Sequence, residues 1–233
     1  MMDLVYKELL EKASPYIENY EQYYHEVQLT ISYTEVSTGG VTIPRGYYCP
    51  SPIIDIVIGN ASRGKLLKRP SKRSHIAYRY GFDKQGKLVF VYKEEDKHKE
   101  FIVRKGNTEL GIGFLEFEGL ELDPEVTDIT YCTYHEDGKI QSYTYGRYYA
   151  DERRIIEIQK EDYIYSPQGL QEVNEQTFFN WEKQGNYRNS RYRFFHDKDG
   201  YLTKYYVQES YKTPITDENG EKRFYDVTVK RKI

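Results

Sequence analysis

Residues 59–66, GNASRGKL, follow an apolar run and come within one position of the phosphate-binding loop G-x-x-x-x-G-K-[ST]. That loop needs a hydroxyl for Mg²⁺ and a helix whose N-terminus meets the phosphates. Leu66 fills the hydroxyl position and Pro70 would obstruct the helix, so nucleotide hydrolysis is not expected. His25, His75, His98, His135 and His196 form no His-x-x-x-His pair, and neither Cys49 nor Cys132 belongs to a Cys-x-x-Cys pair. A zinc site is not expected. Cys132, His135 and Asp137 are near enough in sequence to suggest a Cys–His nucleophile, but no glycine-rich or elbow-like context accompanies the thiol. With 37 Asp and Glu, a carboxylate pair roughly 5–9 Å apart across a cleft would suit glycoside hydrolysis, but abundance identifies no pair. The expectation is a chain with no catalytic residues, cofactor or metal.

Charge is the stronger signal. The 233 residues carry 34 Lys and Arg against 37 Asp and Glu, a formal charge of −3, but the signs are segregated. Arg63, Lys65, Lys68, Arg69, Lys72 and Arg73 form a basic loop with no acid between Asn60 and Ser74. Such a loop suits nucleic acid, phosphate or an acidic partner, but no aromatics interleave with its cations, which argues against nucleic acid. From Gly106 to Gly138 there is no Lys or Arg, while nine acids occur, among them Glu109, Glu116, Glu118, Glu121, Asp123, Glu125, Asp128, Glu136 and Asp137. A cationic partner would relieve their mutual repulsion and be steered toward them. GLELDPEVTD lacks calcium-loop spacing.

These residues need elements to position them. Leu4, Val5, Leu9 and Leu10 recur at helical spacing. Ser14 and Pro15 then read as N-cap and first position of a second helix over 15–24, with Tyr16, Tyr20, Tyr23 and Tyr24 on one face for packing against a sheet. From Val27 the pattern alternates. VQLTISYTEVSTGGVTI reads as a hairpin turning at Gly39-Gly40, and IIDIVI, Ile53–Ile58, as a β-branched central strand. Beyond residue 75 short strands and turns continue to the end. This divides the chain into an N-terminal helical segment (1–26), a hairpin and strand with the basic loop (27–74) and a β region (75–233), one folding unit overall. No stretch of about 18 apolar residues is present, so no membrane helix is expected. The first 15 residues carry early acids and no apolar signal core, which argues against export. A cytoplasmic setting with reduced thiols is expected.

A weak repeat runs through the β region: YGFDKQGKL (80–88), CTYHEDGKI (132–140), YIYSPQGLQ (163–171) and FFHDKDGYL (194–202), with a DENG fragment at 217–220. Asp, Ser or His opens a turn, and glycine three residues later accepts positive φ, closing it between antiparallel strands. Tyr78, Tyr80 and Phe82 alternate onto one face. The frame predicts a mainly β fold, an antiparallel meander sheet, either open and twisted or closed in a barrel-like or propeller-like form. Helix-length segments do not alternate with the strands, which excludes a parallel α/β fold.

YGFDKQGKL resembles the YD repeat of Rhs-type toxin proteins, Tyr-x-Tyr-Asp-x-x-Gly-Arg-Leu, with Tyr80, Phe82, Asp83, Gly86, Lys87 and Leu88 at the matching positions. His135 and Ser166 replace the Asp in later copies, and Tyr201 replaces the basic residue. The aromatic-turn-Gly-x-Leu look is also similar to MORN-like repeats of antitoxin-type proteins. The resemblance, shared with proteins of toxin–immunity systems, implies a β-meander more than an activity, and it carries no catalytic residues.

The expected function is that of a protein-binding partner of immunity or antitoxin type, occluding a cationic toxin domain. Glu116, Glu118, Glu121, Asp123, Glu125 and Asp128 would pair with its cleft, and Tyr143 and Tyr145 would help to seal the rim. The alternative is a carbohydrate- or cell-surface-binding module using exposed aromatics; a glycosidase-type hydrolase is third.

Overall fold

The computed structural model describes residues 2–59, 61–115, 125–149, 154–180, 185–216 and 222–232. Helices α1 (Met2–Ile17) and α2 (Tyr20–Thr30) precede β1 (Tyr33–Thr38), a 3₁₀ turn at Gly46–Tyr48, α3 (Ile54–Ile58) and β2 (Lys65–Leu66). The meander follows as β3 (Tyr78–Phe82), β4 (Leu88–Lys93), β5 (His98–Lys105), β6 (Thr108–Leu115), β7 (Glu125–Tyr134) and β8 (Ile140–Tyr149). It continues through β9 (Arg154–Ser166), β10 (Gly169–Phe179), β11 (Asn186–His196), β12 (Leu202–Thr216) and β13 (Lys222–Lys232). The strand order is β13-β12-β11-β10-β9-β8-β7-β6-β5-β4-β3-β1-β2, open at both ends. The protein is a mainly β antiparallel meander with a short helical N-terminus.

The repeat frame marks four hairpins. Asp83 opens the β3–β4 turn: its carboxylate accepts from the Gln85 and Lys87 amides at 2.9 and 2.8 Å, and the Gly86 N–H donates to the Asp83 carbonyl at 3.0 Å. Gly86 sits at φ +76°, the left-handed value such a turn needs. The β7–β8 turn repeats this from His135 to Gly138, and the β11–β12 turn from Asp197 to Gly200. The β9–β10 turn is tighter: Ser166 pairs directly with Gly169, leaving Pro167 and Gln168 as the loop. DENG lies outside the described residues.

Three local readings are corrected. α1 runs through Pro15, and Ser14 is no N-cap. Pro15 cannot donate to the Glu11 carbonyl, and the Ser14 hydroxyl donates there instead, at 3.2 Å. α2 then carries the helix to Thr30, so residues 27–30 are not strand. No hairpin forms at Gly39-Gly40, because β1 finds its partners elsewhere: Glu35 lies opposite Tyr80 on β3, and Ser37 opposite both Tyr78 on β3 and Leu66 on β2. Ile53–Ile58 is not a central strand. Its last five residues are helix α3, ended by Gly59 at φ +63°, with Ile53 and Ile54 buried and Ile58 exposed. One-sided burial in the loop packing overrides the β propensity of the Ile/Val run.

The chain forms two compact units, Leu10–Ile129 and Met1–Leu9 with Thr130–Ile233. In the first, Tyr20 packs on Phe101 and Phe114 with ring centroids 5.5 and 4.7 Å apart, and Tyr24 on Phe90 at 6.4 Å. The predicted tyrosine face of α2 thus rests on β4–β6. Tyr78, Tyr80 and Phe82 share one face of β3 and are buried. The Tyr80 hydroxyl donates to the Arg45 carbonyl at 3.0 Å and accepts the Tyr47 N–H at 3.1 Å, tying the loop before α3 to the sheet. In the second unit Tyr6 and Leu9 cover β8 at Gly146, where a Cβ would lie 2.8 Å from the Tyr6 ring. The opposite face of β8–β12 is also buried, and a polar row crosses it beside Tyr163, Val173, Tyr192 and Val207. Tyr143, Glu161, Glu175, Ser190 and Glu209 lie directly opposite one another across five strands, each no more than 3% exposed.

Candidate functional site

The predicted acidic surface divides on inspection. Glu116, Glu118, Glu121 and Asp123 lie outside the described residues. Glu125, at the start of β7, is half-buried, and Glu136 and Asp137 are exposed in the β7–β8 turn. Two other acids of the run are internal. Asp128 Oδ1 lies 2.7 Å from His98 Nε2 and accepts the Thr127 hydroxyl at 3.0 Å. Glu109 is 3% exposed and is bound by both Arg45 and Arg104. Burial works against the Glu109 carboxylate, but the two guanidinium groups outweigh it and hold its pKa below the ordinary range. Arg45 also donates to Glu100 at 2.7 Å; there burial wins and pushes the carboxyl up. Tyr143 and Tyr145, expected at a binding rim, are core residues at 0% and 7% exposure. Their positions on β8 alternate toward the polar inner row rather than toward solvent.

The basic loop is part structure, part surface. Arg63 donates to the Cys49 carbonyl at 2.7 Å, to the Ser51 carbonyl and to Asp55 at 3.0 Å, locking the segment before α3. Lys65 belongs to β2, opposite Thr38. Lys68, Arg69, Lys72 and Arg73 are exposed. The glycine of the phosphate-loop look-alike has a packing role: a Cβ on Gly64 would collide with the Thr38 carbonyl oxygen. Cys132 is buried on β7, whereas His135 lies beyond the strand end and is exposed in the β7–β8 turn. That geometry does not form a nucleophile–base pair.

A concave feature lies where the β7–β8 turn meets the end of β9. Its cavity of about 650 Å³ is lined by His135, Glu136, Asp137, Lys139, Tyr163, Ile164 and Tyr165. Asp137 turns back on its own hairpin: its carboxylate accepts from the Lys139 amide at 3.1 Å and the Lys139 ammonium at 2.6 Å. Those bonds hold its pKa below the usual carboxylate range. Lys139 Nζ stands 5.5 Å from the centre of the Tyr165 ring, and His135 meets that ring edge-on at 6.1 Å. Burial, and the charge of Asp137, raise the Tyr165 hydroxyl above its normal pKa. Chemically this is an aromatic platform ringed by hydrogen-bonding groups.

A second polar constellation went unread in the sequence. Glu175 accepts from Arg188 at 2.6 Å, from the Tyr192 hydroxyl at 3.1 Å and from Thr177. Glu161, opposite it, accepts from Gln159 at 2.6 Å and from Tyr163. Both are sealed from solvent, so this carboxylate pair offers a substrate no approach. Alternation of Glu, Thr and Gln along β9 and β10 resembles an ordinary solvated strand face. Only register shows that these residues share the inner side.

Among the described residues no group of His, Cys, Asp and Glu is arranged to hold a metal ion, and no helix is long and apolar enough to cross a membrane. Fold and site together define an antiparallel meander β protein with segregated surface charge. No protein-family model and no curated protein matches the chain.

Proposed function

We propose that the protein is a cytoplasmic, non-enzymatic binding partner of a cationic protein, acting by occlusion in the manner of an immunity protein on a basic toxin domain. The observation that supports this most is the clustering in sequence of nine acids, with no Lys or Arg among them, between Gly106 and Gly138. Glu109 and Asp128 are bound internally by Arg45, Arg104 and His98, and Asp137 by Lys139 just beyond the run, which itself contains no Lys or Arg. Like charge clustered along the sequence is unfavourable alone and favourable against a positive cleft. The test is inhibition of, and association with, a panel of purified basic nuclease toxin domains. Wild type is expected to bind at least one with an association rate that falls steeply with salt. The variant Glu116→Lys, Glu118→Lys, Glu121→Lys, Asp123→Lys, Glu125→Lys should lose that binding by at least about tenfold. If the reversed variant captured each wild-type partner equally well, the reading would be wrong.

The depression beside Tyr165 favours a second reading, a carbohydrate-binding module. A sugar ring could stack on Tyr165 while Asp137, His135 and Lys139 hold its hydroxyls. Titration with an oligosaccharide panel, read by tyrosine fluorescence, tests it. Binding abolished by Tyr165→Ala would support it, and no saturable binding across the panel would end it.

A further inference from the structure

Exposure alternates along residues 189–195 of β11 and 204–209 of β12, and register puts Asn189, Arg191, Arg193 and Phe195, and Lys204, Tyr206, Gln208 and Lys212, on the outer side. The register sets them side by side: Phe195 opposite Lys204, Arg193 opposite Tyr206, Arg191 opposite Gln208. This outer side of the two strands carries four cations and no acid. On the flanking strand β10, Glu172 binds Arg191 at 2.6 Å and Arg193 at 3.4 Å. One carboxylate shared by two guanidinium groups orients both and leaves a net positive charge. Two rings lie among these cations. Phe195 and Tyr206 are 39% and 36% exposed and meet edge-on at 5.3 Å, with Lys204 Nζ 5.0 and 5.6 Å from their centres.

We propose that this outer face of β11–β12 binds single-stranded nucleic acid. Cations two residues apart on paired strands follow a phosphate backbone, and exposed rings beside them stack on bases of any sequence. An acidic polypeptide would use the cations but has no need of the aromatic pair, which is why the nucleic acid is favoured. The basic loop at 63–73 lacks interleaved aromatics, whereas this face has them. The sequence hides it because each outward residue is separated from the next by one on the other side: Tyr192 between Arg191 and Arg193, Tyr205 between Lys204 and Tyr206. The inference is independent of the acidic run and of the depression at Tyr165.

The test is fluorescence anisotropy of labelled oligo-dT and oligo-rU strands of about 20 nucleotides titrated with the full chain, over a salt series. Saturable binding is expected, with log K falling against log salt at a slope of about −2 if three cations engage phosphates. Arg191→Glu with Arg193→Glu and Lys204→Glu should weaken binding at least about tenfold and flatten that slope. Phe195→Ala with Tyr206→Ala should weaken it at least about fivefold while leaving the slope unchanged, since stacking releases no counterions. Should the reversed variant fail to fold by circular dichroism, the glutamine triple at the same positions carries the test. Absence of saturable binding overturns the proposal, and so does binding insensitive to both sets of substitutions. Binding of poly-glutamate but not of the oligonucleotides, lost in the same charge variants, would overturn it in favour of an acidic protein ligand.

Discussion

His98 and Asp128 show how a single buried pair can set a pH dependence. Burial opposes the charged imidazole, but Asp128, and beyond it Glu100 and Asp96, outweigh that and raise the His98 pKa. A raised histidine contributes stability below the unfolded-state pKa and loses it as pH rises through the folded one. His98→Gln is therefore expected to cost more in urea-measured stability near pH 5 than near pH 9; an equal cost at both would contradict the pairing. Gly113 lies against the same pair, and a Cβ there would collide with His98 and Asp128. Gly113→Ala should destabilise and also flatten the pH dependence. Glu157 shares the direction of that pH dependence, but its cause is a burial penalty on the charged form and not a favourable partner. Burial pushes its pKa up to about 7 against Arg147 and Arg188, with Glu175 adding a smaller push. The ionised form is the disfavoured one, so stability is lost as pH climbs from the unfolded carboxyl range through that value. Glu157→Gln should gain roughly 2–3 kcal/mol near pH 8, allowing for partial solvation, and almost nothing near pH 4.

At the scale of elements the hairpin turns carry the argument. Asp83 and Asp197 each accept two backbone N–H groups, so Asp83→Ala or Asp197→Ala should cost roughly 1–2 kcal/mol in chemical denaturation. Gly86→Ala and Gly200→Ala force a Cβ into the left-handed region, at about 1–2 kcal/mol each. A β9–β10 turn of two residues predicts that Ser166→Ala, which removes only longer bonds near 3.3 Å, costs clearly less than Asp83→Ala. Equal costs at the two turns would mean that the shared frame, and not local hydrogen bonding, sets turn stability. These turns were legible in the sequence because their chemistry is local. The helix limits and the α3 segment were not, since Pro15 is accommodated by a side-chain bond to Glu11 and Ile53–Ile58 takes its conformation from the loop it packs in.

At the scale of the molecule, Cys49 and Cys132 report on the two units. They are 7% and 0% exposed, unpaired with each other, and one lies in each unit. Neither thiol should react with a bulky disulfide reagent under native conditions, and each should react in step with unfolding of its own unit. Rapid labelling of either in the native protein would contradict the burial that places it in a core. Charge acts at this scale too: a net −3 conceals an acidic run, a basic loop and a basic sheet face, so ionic strength should affect association far more than folding.

Alternation, turn residues and the absence of long helical periods were enough to establish the antiparallel meander and four of its hairpins, though not to exclude the hairpin expected at Gly39-Gly40, because those four turns depend on interactions within a few residues. Composition likewise located the acidic run and the basic loop. Tertiary structure alone decided which acids are spent internally, that Tyr143 and Tyr145 are core, and that Glu161, Glu175 and Glu209 share one buried row. It also gathered Arg191, Arg193, Lys204, Phe195 and Tyr206 on one face. The reason is register: a shift of one residue between neighbouring strands exchanges the inner and outer faces, and no single strand's sequence specifies which residue stands opposite it.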